Sequence, residues 1–148
     1  KSIARKIGYK VPVSSSTKNS ENVILDGILH EVQQSLFIVQ AELAGADKKI
    51  KKKKVTDMEK MIHAIEDMLP PITTFLIPGA TEFSAHLDVA RTIARRAERR
   101  TIGVKDEGGR NISKHTLAYL NRLSSLLYAL VRYINHLSGA DERAPSYE

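Results

Sequence analysis

The chain has 148 residues, of which 42% are hydrophobic and 27% charged, so one globular domain spanning residues 1–148 is expected. It contains no cysteine, which excludes disulfides and thiolate metal sites. A formal net charge of +6 favours anionic partners.

No apolar run approaches the roughly 18 residues that a membrane span needs, and no signal peptide is visible. We therefore expect a cytoplasmic protein with no membrane partner.

The sequence pattern in the first half of the chain predicts two amphipathic helices, preceded by the end of an N-terminal helix. Residues Lys1–Gly8 could be the end of a helix that stops at the glycine. Apolar residues in steps of three and four predict a long helix from Asn22 to Ala44. The lysine-rich run Lys48–Lys54 indicates a solvated loop, because no aromatic residue interleaves to stack on bases. Thr56 or Asp57 then caps a short helix.

A rigid turn at Pro78-Gly79 precedes the most charged helix of the chain. Thr81 or Ser84 can cap this helix, and a loop is expected at Gly103–Gly109. Its predicted buried face consists of Phe83, Leu87, Ala90, Ala94 and Ala97.

The last helix is predicted from Ser113 to Leu137, with leucines close to a heptad seam and a frayed tail after Gly139. No segment shows the strict alternation of a half-buried strand. The predicted fold is therefore an all-α, up-and-down helix bundle.

The charged helix carries a polar stripe beside its apolar face, formed by Ser84, Asp88, Arg91, Arg95 and Glu98. Two guanidinium groups one turn apart on a half-buried face need bidentate anionic partners. One interpretation is a clamp for polyphosphate. The other is a solvated helix crossed by ion pairs at i, i+3 and i, i+4 spacing.

Side chains for acid–base or metal chemistry do not cluster in the sequence. The five histidines are scattered, and we find neither the paired Glu-x-x-His of a di-iron bundle nor a Walker loop. No protein-held metal is assigned.

Two stretches closely resemble the signature of the PduO-type ATP:cob(I)alamin adenosyltransferases. The first is Phe75–Gly79 followed by Leu87–Arg100, and the second is Tyr119–Tyr128 with Arg132–Asn135. The segment Leu29–Ala44 is a weaker match. The resemblance covers the chain from about residue 24 to 135.

The resemblance implies a five-helix bundle, here with its N-terminal helix only partly present, that works as a homotrimer with ATP between subunits. Its reaction moves the 5′-deoxyadenosyl group of ATP to the cobalt of cob(I)alamin, giving adenosylcobalamin and triphosphate. Magnesium would arrive with ATP rather than on protein ligands. A cobalamin reductase and an adenosylcobalamin-dependent enzyme are implied partners.

Residue roles follow from the resemblance by position. Arg95, Arg96, Glu98 and Arg99 would line the ATP site, and Asn121 would join them from the last helix.

Two further residues complete the implied site. Arg91 would make the inter-subunit contact that shapes it, and Phe75 would face the corrin and help to keep the lower axial ligand off the cobalt. Arg91, Arg95 and Phe75 are therefore the expected catalytic residues.

The chain departs from the family pattern in three places. The glycine-rich N-terminal motif that wraps the phosphates is not visible, Asp88 replaces the usual histidine, and Ser125 replaces the usual aspartate. A non-catalytic cobalamin or ATP carrier or sensor of the same fold is therefore one alternative. A nucleic-acid module using Lys48–Lys54 and Arg96–Arg100 is another, disfavoured because the arginine stripe adjoins the apolar face.

Overall fold

A computed structural model describes residues 8–12 and 22–147 of the chain. In these ranges the elements run β1 (Lys10–Pro12), β2 (Asn22–Ile24), α1 (Leu25–Leu43), α2 (Lys52–Glu66), α3 (Glu82–Asp106) and α4 (Lys114–Leu137). The all-α fold class is thereby confirmed. Most of the helix predicted at Lys1–Gly8 lies outside the described residues, and Gly8 itself is in a turn.

A small antiparallel ribbon was not expected from the sequence. β1 pairs with β2, with Val11 opposite Val23, so the predicted helix from Asn22 is wrong in its first three residues. The backbone N–H of Leu25 donates to the carbonyl of Tyr9 at 2.9 Å, which fixes the step from strand to helix. Three-residue strands are too short to produce a recognisable alternation of apolar and polar residues.

The ribbon is anchored to the helices by aromatic side chains. Tyr9 stacks on Phe83 of α3 with ring centroids 6.2 Å apart. The hydroxyl of Tyr133, on α4, donates to the carbonyl of Lys10 at 3.1 Å. Burial raises the pKa of Tyr133 above its ordinary value, so the hydroxyl keeps its proton to a higher pH than a free tyrosine does.

Helix α2 begins earlier than predicted. Its N-cap is Lys51 and its first turn contains Lys52, so neither Thr56 nor Asp57 caps it. Ile50, buried just before the helix, holds its start against the core. The end of the Lys48–Lys54 run is therefore helical rather than loop, which agrees with the good helix propensity of lysine.

Helix α3 begins as predicted and ends later. Thr81 Oγ1 accepts from the N–H of Ser84 at 3.1 Å, while Ser84 Oγ accepts from the N–H of Thr81 at 2.9 Å, a capping box. The helix continues through Gly103 to Asp106, so the predicted loop at Gly103–Gly109 is shorter. Gly108, with φ of 73°, ends it in a Schellman arrangement.

The buried face of α3 is rotated toward its polar stripe. Phe83, Leu87 and Ala94 are buried as predicted, but Ala90 is half-buried and Ala97 is exposed. Ser84 and Asp88 are buried instead. The stripe that adjoined the predicted face is therefore part of the helix contact.

Helix α4 is the centre of the bundle. Helices α2 and α3 both pack against it, and every residue from Ala129 to Asn135 is buried. A helix buried on all faces must be surrounded by other elements. The predicted leucine seam is buried from Leu120 to Ile134, whereas its first member, Leu117, is half-buried and its last, Leu137, is exposed. No helix among the described residues is long and apolar enough to cross a bilayer.

The segment after Gly139 does not fray as expected. Residues 140–147 have no regular secondary structure, yet Glu142 Oε1 accepts from Asn135 Nδ2 at 3.0 Å. The carbonyl of Arg143 accepts from the N–H of Ile77 at 2.8 Å. These contacts hold the segment against α4 and the connection that precedes α3.

A buried carboxylate joins α1 to the start of α4. Glu42 is 6% exposed, and its Oε1 accepts from the N–H of Ser113, the N-cap of α4, at 2.7 Å. Its Oε2 accepts from the hydroxyls of Ser113 and Thr116. A negative charge here is favourable because the helix N-terminus carries partial positive charge.

We predict that Glu42→Gln lowers the free energy of unfolding by about 1–3 kcal/mol, because its amide group would face the hydroxyl donors. Urea unfolding followed by circular dichroism at one protein concentration measures the change. The control Glu66→Gln, on the exposed end of α2, should stay within about 0.5 kcal/mol of the parent chain. Equal stability of the two variants would show that the Glu42 contacts contribute nothing.

Candidate active site

One open cavity of about 810 Å³ lies between the connection that precedes α3 and the facing sides of α3 and α4. This volume is typical of ligand sites. Three predicted site residues, Phe75, Arg91 and Arg95, share its wall. The full lining is Ile72, Thr73, Thr74, Phe75, Leu76, Arg91, Arg95, Ser124, Ser125, Tyr128 and Tyr147.

Phe75 lies in the connection between α2 and α3, which has no regular structure. Upstream, the carbonyl of Pro70 accepts from Arg132 Nη2 at 2.8 Å. Downstream, the N–H of Ile77 donates to the carbonyl of Arg143, and Gly79, with φ of 92°, forms a turn. Between these anchors Phe75 is 80% exposed, so a large aromatic face is open at the cavity.

Arg91 is held from two sides. Its Nε donates to Asp88 Oδ1 at 3.3 Å, one turn earlier on α3. Its guanidinium carbon lies 5.7 Å from the ring centroid of Tyr128 on α4, a cation–π contact. The helix pair α3/α4 thus fixes this arginine at the cavity.

Arg95 follows one turn later and is exposed. Within residues 8–12 and 22–147 its guanidinium has no hydrogen bond or ion pair, whereas Arg91 has both. A planar fork of donors without a partner at a cavity wall is suited to a carboxylate or phosphate.

Further along α3, Glu98 and Asn121 come together. Asn121 Nδ2 donates to Glu98 Oε1 at 2.7 Å, and Arg122 Nη2 donates to Asn121 Oδ1 at 2.6 Å. The resemblance predicts that Glu98, from the first motif, and Asn121, from the second, belong to one ATP site. In the structure the two side chains are neighbours. They are not part of the cavity wall.

Arg96 and Arg99 are exposed and lie outside the cavity. The structure therefore divides the predicted site into three parts: the cavity residues, the Glu98–Asn121 pair, and two arginines that face solvent in the single chain.

Sequence reasoning gave no role to several wall residues. Ser124, Ser125 and Tyr128 lie on one side of α4 together with Asn121, in a polar stripe beside the leucine seam that could have identified them. Of these, Ser125 was noted in the sequence only as the residue that replaces the usual aspartate. Tyr147 reaches the cavity from the C-terminal segment, and no sequence pattern indicates this. In the part of the chain that the structure describes, no group of three or more His, Cys, Asp or Glu could hold a metal ion.

Known proteins similar to this chain are corrinoid adenosyltransferases. Corrinoid adenosyltransferase PduO of Citrobacter freundii is 37% identical over 118 residues, 74% of this chain and 34% of that protein. A second corrinoid adenosyltransferase of Citrobacter freundii is 36% identical over 131 residues, 80% of this chain and 68% of that protein. The chain thus spans between about one third and two thirds of these relatives.

A solved structure of related sequence has the same fold. It is a phenylalanine-to-alanine variant of the PduO-type ATP:corrinoid adenosyltransferase from Lactobacillus reuteri, complexed with cobalamin and ATP. Its TM-score is 0.76 at 32% identity, covering 88% of this chain and 75% of that one. The family model described as cobalamin adenosyltransferase matches residues 10–134, and the chain belongs to that family.

Proposed function

We propose that this chain transfers the 5′-deoxyadenosyl group of ATP to the cobalt of cob(I)alamin, releasing triphosphate and forming adenosylcobalamin. One observation carries the proposal: an exposed aromatic ring, Phe75, and two arginines one turn apart, Arg91 and Arg95, line the same cavity. Family membership and the similar structure complexed with cobalamin and ATP support it.

The chemistry asks the protein for position and charge rather than for a base. The electron pair of cob(I)alamin cobalt attacks C5′, a Co–C bond forms, and the C5′–O bond breaks with its electrons leaving on triphosphate. No proton has to be removed in this step. Holding the reactants in line can account for roughly 7–11 kcal/mol of the barrier in favourable cases.

Arg95, free of internal partners in the described chain, would bind the triphosphate with Mg²⁺ brought by ATP. Arg96, Glu98, Arg99 and Asn121 would complete the ATP site. Phe75 would face the corrin and disfavour the lower axial ligand.

We propose a homotrimer in the cytoplasm with each site shared between subunits. Arg96 and Arg99 face solvent in the single chain, where a neighbouring subunit could bring ATP to them. Val89 and Ile93, one turn apart on α3, are at least half exposed and would pack in such an interface. Arg91 would contact that neighbour. A cobalamin reductase would supply the corrinoid, and an adenosylcobalamin-dependent enzyme would receive the product.

The direct test is anaerobic incubation of the full-length gene product with chemically reduced cobalamin, ATP and Mg²⁺. We expect the visible spectrum of adenosylcobalamin and one triphosphate per cobalamin converted. Omission of ATP is the control. A folded trimer that binds cobalamin without conversion would instead be a carrier or sensor of this fold.

Arg95→Ala should lower kcat by about 10²–10³, because it removes a charge donor from the departing triphosphate. The side chain is exposed and has no partner among the described residues, so circular dichroism and the melting temperature should stay unchanged. Arg100→Ala, exposed on the same helix and outside the cavity, is the matched control. Turnover at the parent rate in Arg95→Ala would contradict the phosphate role.

Phe75→Ala should slow formation of the Co–C bond while leaving ATP affinity near the parent value, because the ring faces the corrin in this proposal. Single-turnover spectroscopy and calorimetric ATP titration separate the two effects. Phe37→Ala removes another exposed phenylalanine, on α1, and should change neither. A loss confined to ATP binding would place Phe75 on the nucleotide instead.

A further inference from the structure

We infer that Asp88 is the positioning residue of this site: its buried carboxylate holds Arg91 against Tyr128 and so sets the direction of the Arg91 guanidinium in the cavity. The inference rests on the proposed function for its kinetic consequence, but not for the geometry of the pair. Neither the reaction nor the family membership assigns a role to this aspartate.

The carboxylate is placed where a charge is costly. Asp88 is 7% exposed, and its Oδ2 is buried without a hydrogen-bond partner in the described chain. Its other oxygen receives the Nε of Arg91. Arg91 is its one ion-pair partner in residues 8–12 and 22–147, so the carboxylate depends on this arginine for compensation.

The bond uses a specific edge of the guanidinium. Arg91 donates to Asp88 through Nε, so its two terminal nitrogens remain available to other acceptors. Neither has a hydrogen bond in the part of the chain described. The guanidinium carbon also lies over the Tyr128 ring, 5.7 Å from its centroid. The hydrogen bond and the cation–π contact together restrain the group, and such preorganisation is what an anion site requires.

Arg95 gives an internal comparison. It lies one turn beyond Arg91 at the same cavity, but has no internal partner in the described residues and is exposed. Arg95 can therefore follow a mobile phosphate, whereas Arg91 is a fixed point. We assign the difference to Asp88.

The test follows the Nε–Hε resonance of Arg91 in the ¹⁵N-labelled full chain, assigned by its loss in Arg91→Lys. In the parent chain we expect a signal shifted by the Tyr128 ring and slow in exchange with water. Asp88→Asn keeps the shape but removes the charge, so the signal should move toward that of a free arginine and exchange faster. Asp106→Asn, exposed on the same helix, should leave it unchanged.

Kinetics provide the second readout. Asp88→Asn should lower kcat/KM for ATP by about 10²-fold, a loss that a misplacement of about 1 Å can cause. If Asp88 acts through Arg91, the pair Asp88→Asn with Arg91→Lys should be no slower than Arg91→Lys alone. Additive losses, or an unchanged Arg91 signal in Asp88→Asn, would overturn the inference.

Two further outcomes are separable. If Asp88→Asn does not fold, Tyr128→Leu decides: retained slow exchange of the Arg91 signal supports the inference, and its loss overturns it. If the parent chain transfers no adenosyl group, the proposed function fails, and the resonance of Arg91 still decides the role of Asp88.

Discussion

The contact between α3 and α4 is the constraint on which the rest of the molecule depends. Helix α4 is buried on every side from Ala129 to Asn135, so α3 must present a face that fits it closely. The face that fits includes Ser84 and Asp88 as well as Phe83 and Leu87. This rotation places Arg91 of the next turn beside Tyr128, where it forms part of the cavity wall.

The cavity is assembled from segments that are distant in sequence. The connection before α3 supplies Phe75, α4 supplies its polar stripe, and the C-terminal segment supplies Tyr147. Arg132 of α4 links the connection to the C-terminal segment. It donates to the carbonyl of Pro70, and its Nε lies 3.6 Å from Glu142 Oε2. The same buried guanidinium therefore positions both irregular segments. A loop held at both ends can expose a large aromatic ring without losing its place.

Such an arrangement suits a reaction whose nucleophile is already strong. Fixed cations and an aromatic wall can orient two large substrates and stabilise a leaving polyphosphate without an acid or base. The two arginines of the cavity differ in their contacts within the described residues, because Arg91 is bonded to Asp88 and Arg95 has no partner there. In the proposed reaction Arg91 would help to fix the geometry and Arg95 would follow the leaving group.

Local sequence signals determined the elements whose causes are local. Periodicity placed the helices, the Thr81 cap began α3, and residue type and spacing marked Arg91 and Arg95 and, by resemblance, Phe75. The tertiary structure decided those features that depend on contacts between residues distant in sequence. The Val11–Val23 ribbon and the hydrogen bond from the Ile77 N–H to the Arg143 carbonyl join residues that are distant in sequence. The burial of Asp88 and the inclusion of Tyr147 in the cavity depend on such contacts as well, because a one-dimensional pattern records which face of a helix is apolar but not which neighbour covers it.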